Sequence, residues 1–139
     1  GPVRSTQFEK LWWDSLGMCW FSVAGVKDSM EITRTALAQA VGWEDFTTDE
    51  AVEVGERITN LMRLVYGRRG FKKSDDLDVS PKHLETTATG TGSDTGIAPY
   101  LPGMVDEYYS QMGWNLETGL PTPDTLERLG MEEFLEVVR

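Results

Sequence analysis

Two residues could do chemistry together: Asp14 and Cys19, in the stretch Asp14-Ser15-Leu16-Gly17-Met18-Cys19-Trp20-Phe21. A thiolate is a soft metal ligand and a nucleophile. A carboxylate can accept several hydrogen bonds at once. Cys19 is the only cysteine in the chain, so it forms no internal disulfide, which fits a reducing compartment. A lone cysteine in an apolar stretch ordinarily reads as a small buried hydrophobe. On residue types alone both readings stay open. The only histidine, His83, follows Ser80-Pro81-Lys82 and reads as a packing or surface residue before it reads as a base. There is no second Cys and no His pair for a metal of the usual spacing, and Gly90-Thr91-Gly92 lacks the Lys-Ser or Lys-Thr of a phosphate-cradling loop. No complete active site is written in motifs.

A second stretch stands out by charge. Arg68-Arg69-Gly70-Phe71-Lys72-Lys73 packs four cations into a chain of formal net charge −10. It reads equally as a solvated run or as a holder of an anionic group. The acidic balance argues against binding nucleic acid through phosphates and against an anionic membrane surface. No apolar run is long enough to span a bilayer and no signal peptide is visible, so a cytoplasmic location is expected. The 139 residues, 40% apolar, suffice for one sizeable core. Five Trp is many for that length and suggests buried anchors or an interface.

The elements that must position these residues read as helices. Phe8, Leu11 and Trp12 share a face within Ser5–Trp13. Ser29–Val41 carries Met30, Ala36, Leu37, Ala40 and Val41 on roughly one side, with Asp28 or Ser29 as a cap and Gly42 as a stop. Thr47-Thr48-Asp49-Glu50 is a capping box, and Val54, Ile58, Leu61, Met62 and Val65 recur after it every three or four residues up to Gly67. Gly67 to Ser80 is polar and unpatterned. Ser80-Pro81 predicts a short helix near Lys82–Glu85, and Thr86 to Gly96 predicts a loop. Further helices are expected over Gly103–Met112, from Thr122-Pro123 to Gly130, and over Met131–Val138. The expected fold is all-α, an irregular multi-helix region with a long loop from Thr86 to Ala98.

The order of short motifs resembles the C-terminal part of the aldehyde ferredoxin oxidoreductase family. The stretches are Asp14 to Phe21; Gly55-Glu56-Arg57-Ile58; Arg63; Tyr66 to Phe71; Asp75-Asp76; Ser80-Pro81-Lys82-His83-Leu84; Asp106-Glu107-Tyr108-Tyr109; Gly113-Trp114; Gly119-Leu120-Pro121-Thr122; and Leu126 to Gly130. They cover almost the whole chain, so residues 1–139 are expected to form one all-α region resembling the C-terminal domain. The resemblance implies a tungsten or molybdenum bis-pterin cofactor beside a 4Fe–4S cluster. It implies oxidation of aldehydes to carboxylic acids, with electrons passing to ferredoxin. In the family an Asp-x-x-Gly-x-Cys stretch meets both groups. Carried over, Asp14 binds a pterin and Cys19 is a cluster ligand. Leu16, Gly17 and Met18 lie against the cofactors, Gly17 through close backbone approach, and Trp20 adds an apolar wall.

The family's other three cluster cysteines, a Cys-x-x-Cys-x-x-x-Cys run, are missing here, as is the N-terminal domain. Tyr66-Gly67-Arg68-Arg69 lacks an Asn that many relatives carry, and His83 stands where many have Arg. The chain is therefore expected to be a fragment, inactive alone and binding no cofactor by itself. Its implied partners are the N-terminal and middle domains of a parent enzyme, ferredoxin, and an aldehyde or acyl-type substrate. No catalytic residue is assigned. Two alternatives are a benzoyl-coenzyme A reductase-like subunit of the same family and a non-enzymatic all-α interaction module. Trp12, Trp13, Trp20 and Phe21 are the expected exposed patch where missing domains would sit.

Overall fold

The computed structural model describes residues 2–84 and 96–139. The described residues are helical: α1 (Pro2–Ser15), α2 (Trp20–Val23), α3 (Ser29–Val41), α4 (Thr48–Arg68), α5 (Lys73–Leu77), α6 (Pro81–Leu84), α7 (Leu101–Met112), α8 (Pro123–Arg128), a 3-10 turn at Glu132–Phe134, and α9 (Leu135–Val138). Among them no strand ladder forms, only an isolated antiparallel bridge between Trp114 and Pro121. No described helix is long and apolar enough to cross a membrane. The expected loop from Thr86 to Ala98 falls almost wholly outside the described residues. The chain divides within α4 into two compact units, residues 1–63 and 64–139.

In the first unit the core forms around Trp12, Trp13, Val23 and Ala51, with Leu16, Met18, Trp20, Met30, Leu37, Phe46 and Val54 packed against it. Trp12 and Trp13 are 2% and 3% exposed, which corrects their expected place on an open surface. An indole can be buried if its N–H finds an acceptor, and Thr33 supplies one for both. Its Oγ1 accepts from Trp12 Nε1 at 3.1 Å and from Trp13 Nε1 at 3.3 Å. The same hydroxyl lies within reach of the Ser29 carbonyl at 2.8 Å, to which it donates. One threonine thus uses its donor and both acceptor lone pairs. Trp20 is half-buried, and only Phe21, 88% exposed, fully meets the expectation of an open aromatic.

The capping box at the start of α4 forms as the sequence predicts. Thr47 N–H donates to Glu50 Oε2 at 2.7 Å, and Glu50 N–H donates to Thr47 Oγ1 at 3.2 Å. The start of α3 differs. Asp28 has φ 57°, ψ 24° and its side chain caps nothing. A capping side chain needs an extended backbone to reach the next amides, and a left-handed residue points it elsewhere.

The second unit centres on Leu64, Leu126, Leu129 and Met131, with Phe134, Leu135, Val137 and Val138 against them. The bridge turn places Trp114 against the rings of Tyr108 and Tyr109. Thr122 caps α8 through the Thr125 N–H at 3.3 Å, as Thr122-Pro123 predicts. Helix α8 stops at Arg128, before the expected Gly130, and the last helix opens as a 3-10 turn. Helices α2 and α5 have no counterpart in the sequence reading; they are four and five residues long, too short to show a period.

Candidate functional site

The Asp14–Cys19 stretch is a helix end followed by a turn. Gly17 N–H donates to the Asp14 carbonyl at 3.0 Å, and Met18 N–H donates to the Trp13 carbonyl at 3.0 Å. That pair of bonds is a Schellman motif, which needs a left-handed residue at the first position past the cap. Gly17 provides it, with φ 71°. The motif is accompanied by the usual apolar clasp, since Met18 packs on the cluster that contains Trp13. A Cβ on Gly17 would meet nothing within 4 Å in this chain. Its local requirement is the positive φ, whatever else approaches it.

The turn fixes where each expected site residue goes. Leu16 and Met18 are half-buried and anchor the turn to the core, as Trp20 does. Cys19 lies in extended backbone (φ −72°, ψ 130°) directly before α2, and it is exposed. The ordinary placement of a lone cysteine inside a core does not hold here. Asp14 is also exposed, in the last turn of α1, where a negative charge opposes the helix dipole. Its carboxylate pairs with Lys10 one turn back. A cation N-terminal to an anion at that spacing is the weaker orientation, and both side chains are wet. The Lys10–Asp14 pair is thus easily exchanged for another partner. Sequence reasoning missed Lys10; its i, i+4 spacing to Asp14 was the signal left unused.

The elements that hold α1 lie upstream and downstream of the turn. Arg4 Nη2 donates to Glu56 Oε1 at 3.2 Å, and its guanidinium lies over the Phe8 ring at 4.8 Å. Glu56 is 5% exposed. Gly55 of α4 approaches the Phe8 carbonyl so closely that an added Cβ would stand 2.0 Å from its oxygen.

The basic segment is dispersed. Arg68 closes the last turn of α4, where a cation suits the dipole. Lys73 pairs with Asp106 and donates to the Leu116 carbonyl at 2.8 Å. Next to it Tyr109, 1% exposed, donates to Asp76. Arg69 and Lys72 are exposed. The side chain of His83 lies outside the described residues. Among the described residues no group of three or more His, Cys, Asp or Glu could hold a metal ion.

Sequence comparison assigns the chain to a known class. The sequence profile described as "Aldehyde ferredoxin oxidoreductase, domains 2 & 3" matches residues 3–131, and the chain belongs to that family. It is 35% identical over 121 residues to the tungsten-containing aldehyde ferredoxin oxidoreductase of Pyrococcus furiosus, a match covering 87% of this chain and 19% of that protein. The corresponding proteins of Pyrococcus abyssi and Thermococcus kodakarensis are 33% and 32% identical over 122 residues, which is 88% of this chain and 19% of theirs. The chain thus spans about a fifth of the curated relatives it matches.

Proposed function

We propose that this chain is the C-terminal portion of a tungsten or molybdenum pterin oxidoreductase that oxidises aldehydes to carboxylic acids and passes electrons through a 4Fe–4S cluster to ferredoxin. Within it, residues 1–139 serve as one all-α region. Cys19 is the cluster's fourth ligand and Asp14 a pterin acceptor. The observation that carries the reading is the Schellman turn, which presents an exposed thiol five residues after an exposed carboxylate. The family match supports it.

The donor set fits as a contribution and not as a whole site. A 4Fe–4S cluster takes four thiolates, and this chain has one cysteine. A carboxylate can accept from two N–H donors of a pterin edge, and Asp14 would hold the pterin in place of its pairing with Lys10. Met18 and Leu16 hold the turn to the core, so that the thiol keeps one position. The backbone of Gly17 carries no side chain between the two groups. When bound, the metal and the cluster supply the redox chemistry; the protein supplies binding and orientation. With one of four cluster thiolates, the 139-residue chain alone should show no such activity.

The test is Cys19→Ala in the full-length polypeptide, purified without oxygen. The variant should lose iron from the cluster and its electron transfer to ferredoxin, with unchanged helical circular dichroism. Wild-type iron content and electron transfer in that variant would sink the assignment.

A further inference from the structure

We infer that Gly55 is a positioning residue for the Asp14–Cys19 turn: its missing side chain sets how closely α1 lies on α4, and so where the thiol and the carboxylate are presented. The inference rests on the site reading proposed above. Gly55 is buried inside α4, where glycine is a poor helix former. Its surroundings give the reason. A Cβ there would lie 2.0 Å from the Phe8 carbonyl oxygen, 2.6 Å from its carbon and 2.8 Å from Phe8 Cα. All three are backbone atoms of α1, so no rotamer change relieves the overlap, and α1 itself must retreat. Six residues later Asp14 stands in the last turn of the same helix, and the turn is bonded to that end through Met18 N–H to the Trp13 carbonyl and Gly17 N–H to the Asp14 carbonyl. A displacement at Phe8 therefore moves the turn with it. The Arg4–Glu56 pair clamps the opposite end of α1 beside the same contact.

Other glycines provide the contrast. At Gly103 an added Cβ meets nothing within 4 Å, and at Gly67 it meets the end of the Leu120 side chain, which can swing aside. Neither touches α1.

Cys19 is the only cysteine, so it can carry a single spin label, with a second on Arg57→Cys at an exposed position of α4. In the 139-residue chain, Gly55→Ala should lengthen the label separation measured by EPR by about an ångström, the scale of the overlap. Gly67→Ala and Gly103→Ala should leave it unchanged. Arg4 is partly exposed and pairs with Glu56 near the start of α1, so Arg4→Met should broaden the distance distribution. In the full-length enzyme, Gly55→Ala should shift the cluster's EPR line shape and midpoint potential while iron content stays at the wild-type level. The inference is overturned if Gly55→Ala folds without moving the label. It is equally overturned if Gly55→Ala fails to fold and Arg4→Met keeps the wild-type distribution, or if the label moves and the cluster signal does not although Cys19→Ala abolishes it. A label that moves while Cys19→Ala leaves the cluster intact overturns the site reading instead.

Discussion

Single residues decide the geometry of the candidate turn and the burial of its neighbours. Gly17 sits at φ 71°, a region that costs an L-residue about 1–2 kcal/mol. Gly17→Ala should lower stability by about that amount in urea titration. The added methyl meets no neighbour, so the loss comes from backbone strain alone. Thr33 is more heavily used. Its hydroxyl accepts from two buried indoles, and Thr33→Val keeps the shape but removes both acceptors. Each buried N–H left unpaired costs about 1–3 kcal/mol. The expected outcome is a clear drop in the denaturation midpoint followed by Trp fluorescence, larger than for Thr35→Val, a half-buried position of the same helix whose hydroxyl donates to the Glu31 carboxylate.

At the scale of elements, the capping box that opens α4 carries a pH dependence. The Glu50 carboxyl is held below its ordinary value near 4.5, first by the Thr47 backbone N–H and then by the Thr47 hydroxyl. Glu31 is lowered in the same way by Thr48 and Arg34. A carboxylate whose folded pKa is depressed contributes stability that is complete above its unfolded pKa and is lost as pH falls through the folded one. Acid unfolding should therefore begin to weaken the chain below about pH 4.5. Glu50→Gln should flatten that acid limb while lowering stability at neutral pH, and Thr47→Ala should cost about 1 kcal/mol of helix capping. Thermal melts from pH 3 to pH 7 would read both effects.

For the whole molecule, α4 is turned inside out along its second half. Glu56, Thr59, Asn60 and Arg63 are buried, while Leu61, Met62 and Val65 on the opposite side are 42%, 44% and 42% exposed. With 3.6 residues per turn these are two faces of one helix. Apolar stripes of this kind are rarely left open on a monomer, and Phe21 adds to the exposed apolar surface. The isolated chain should self-associate and bind a hydrophobic dye. Leu61→Lys with Met62→Lys should yield a better-behaved monomer, as judged by size-exclusion chromatography with light scattering. A wild-type chain that is already monodisperse and binds no dye contradicts the expectation.

Local interactions made part of this protein legible from its sequence. The Thr47–Glu50 box, the Thr122-Pro123 start and the span of α3 each depend on residues within four positions of one another, and they stand where the residues put them. The motif order from Asp14 to Gly130 sufficed to place the chain in its family. What pattern alone left open was the environment of each side chain. Trp12 and Trp13 are buried because Thr33, some twenty residues away, satisfies their N–H groups. The Val54–Val65 repeat shows its outer half to solvent because burial is decided by what packs on a helix, which periodicity does not contain. Cys19 is exposed because Gly17 turns the chain outward at a helix end. The close fit of Gly55 on Phe8 is a backbone contact between residues 47 positions apart, and only the folded chain brings it about.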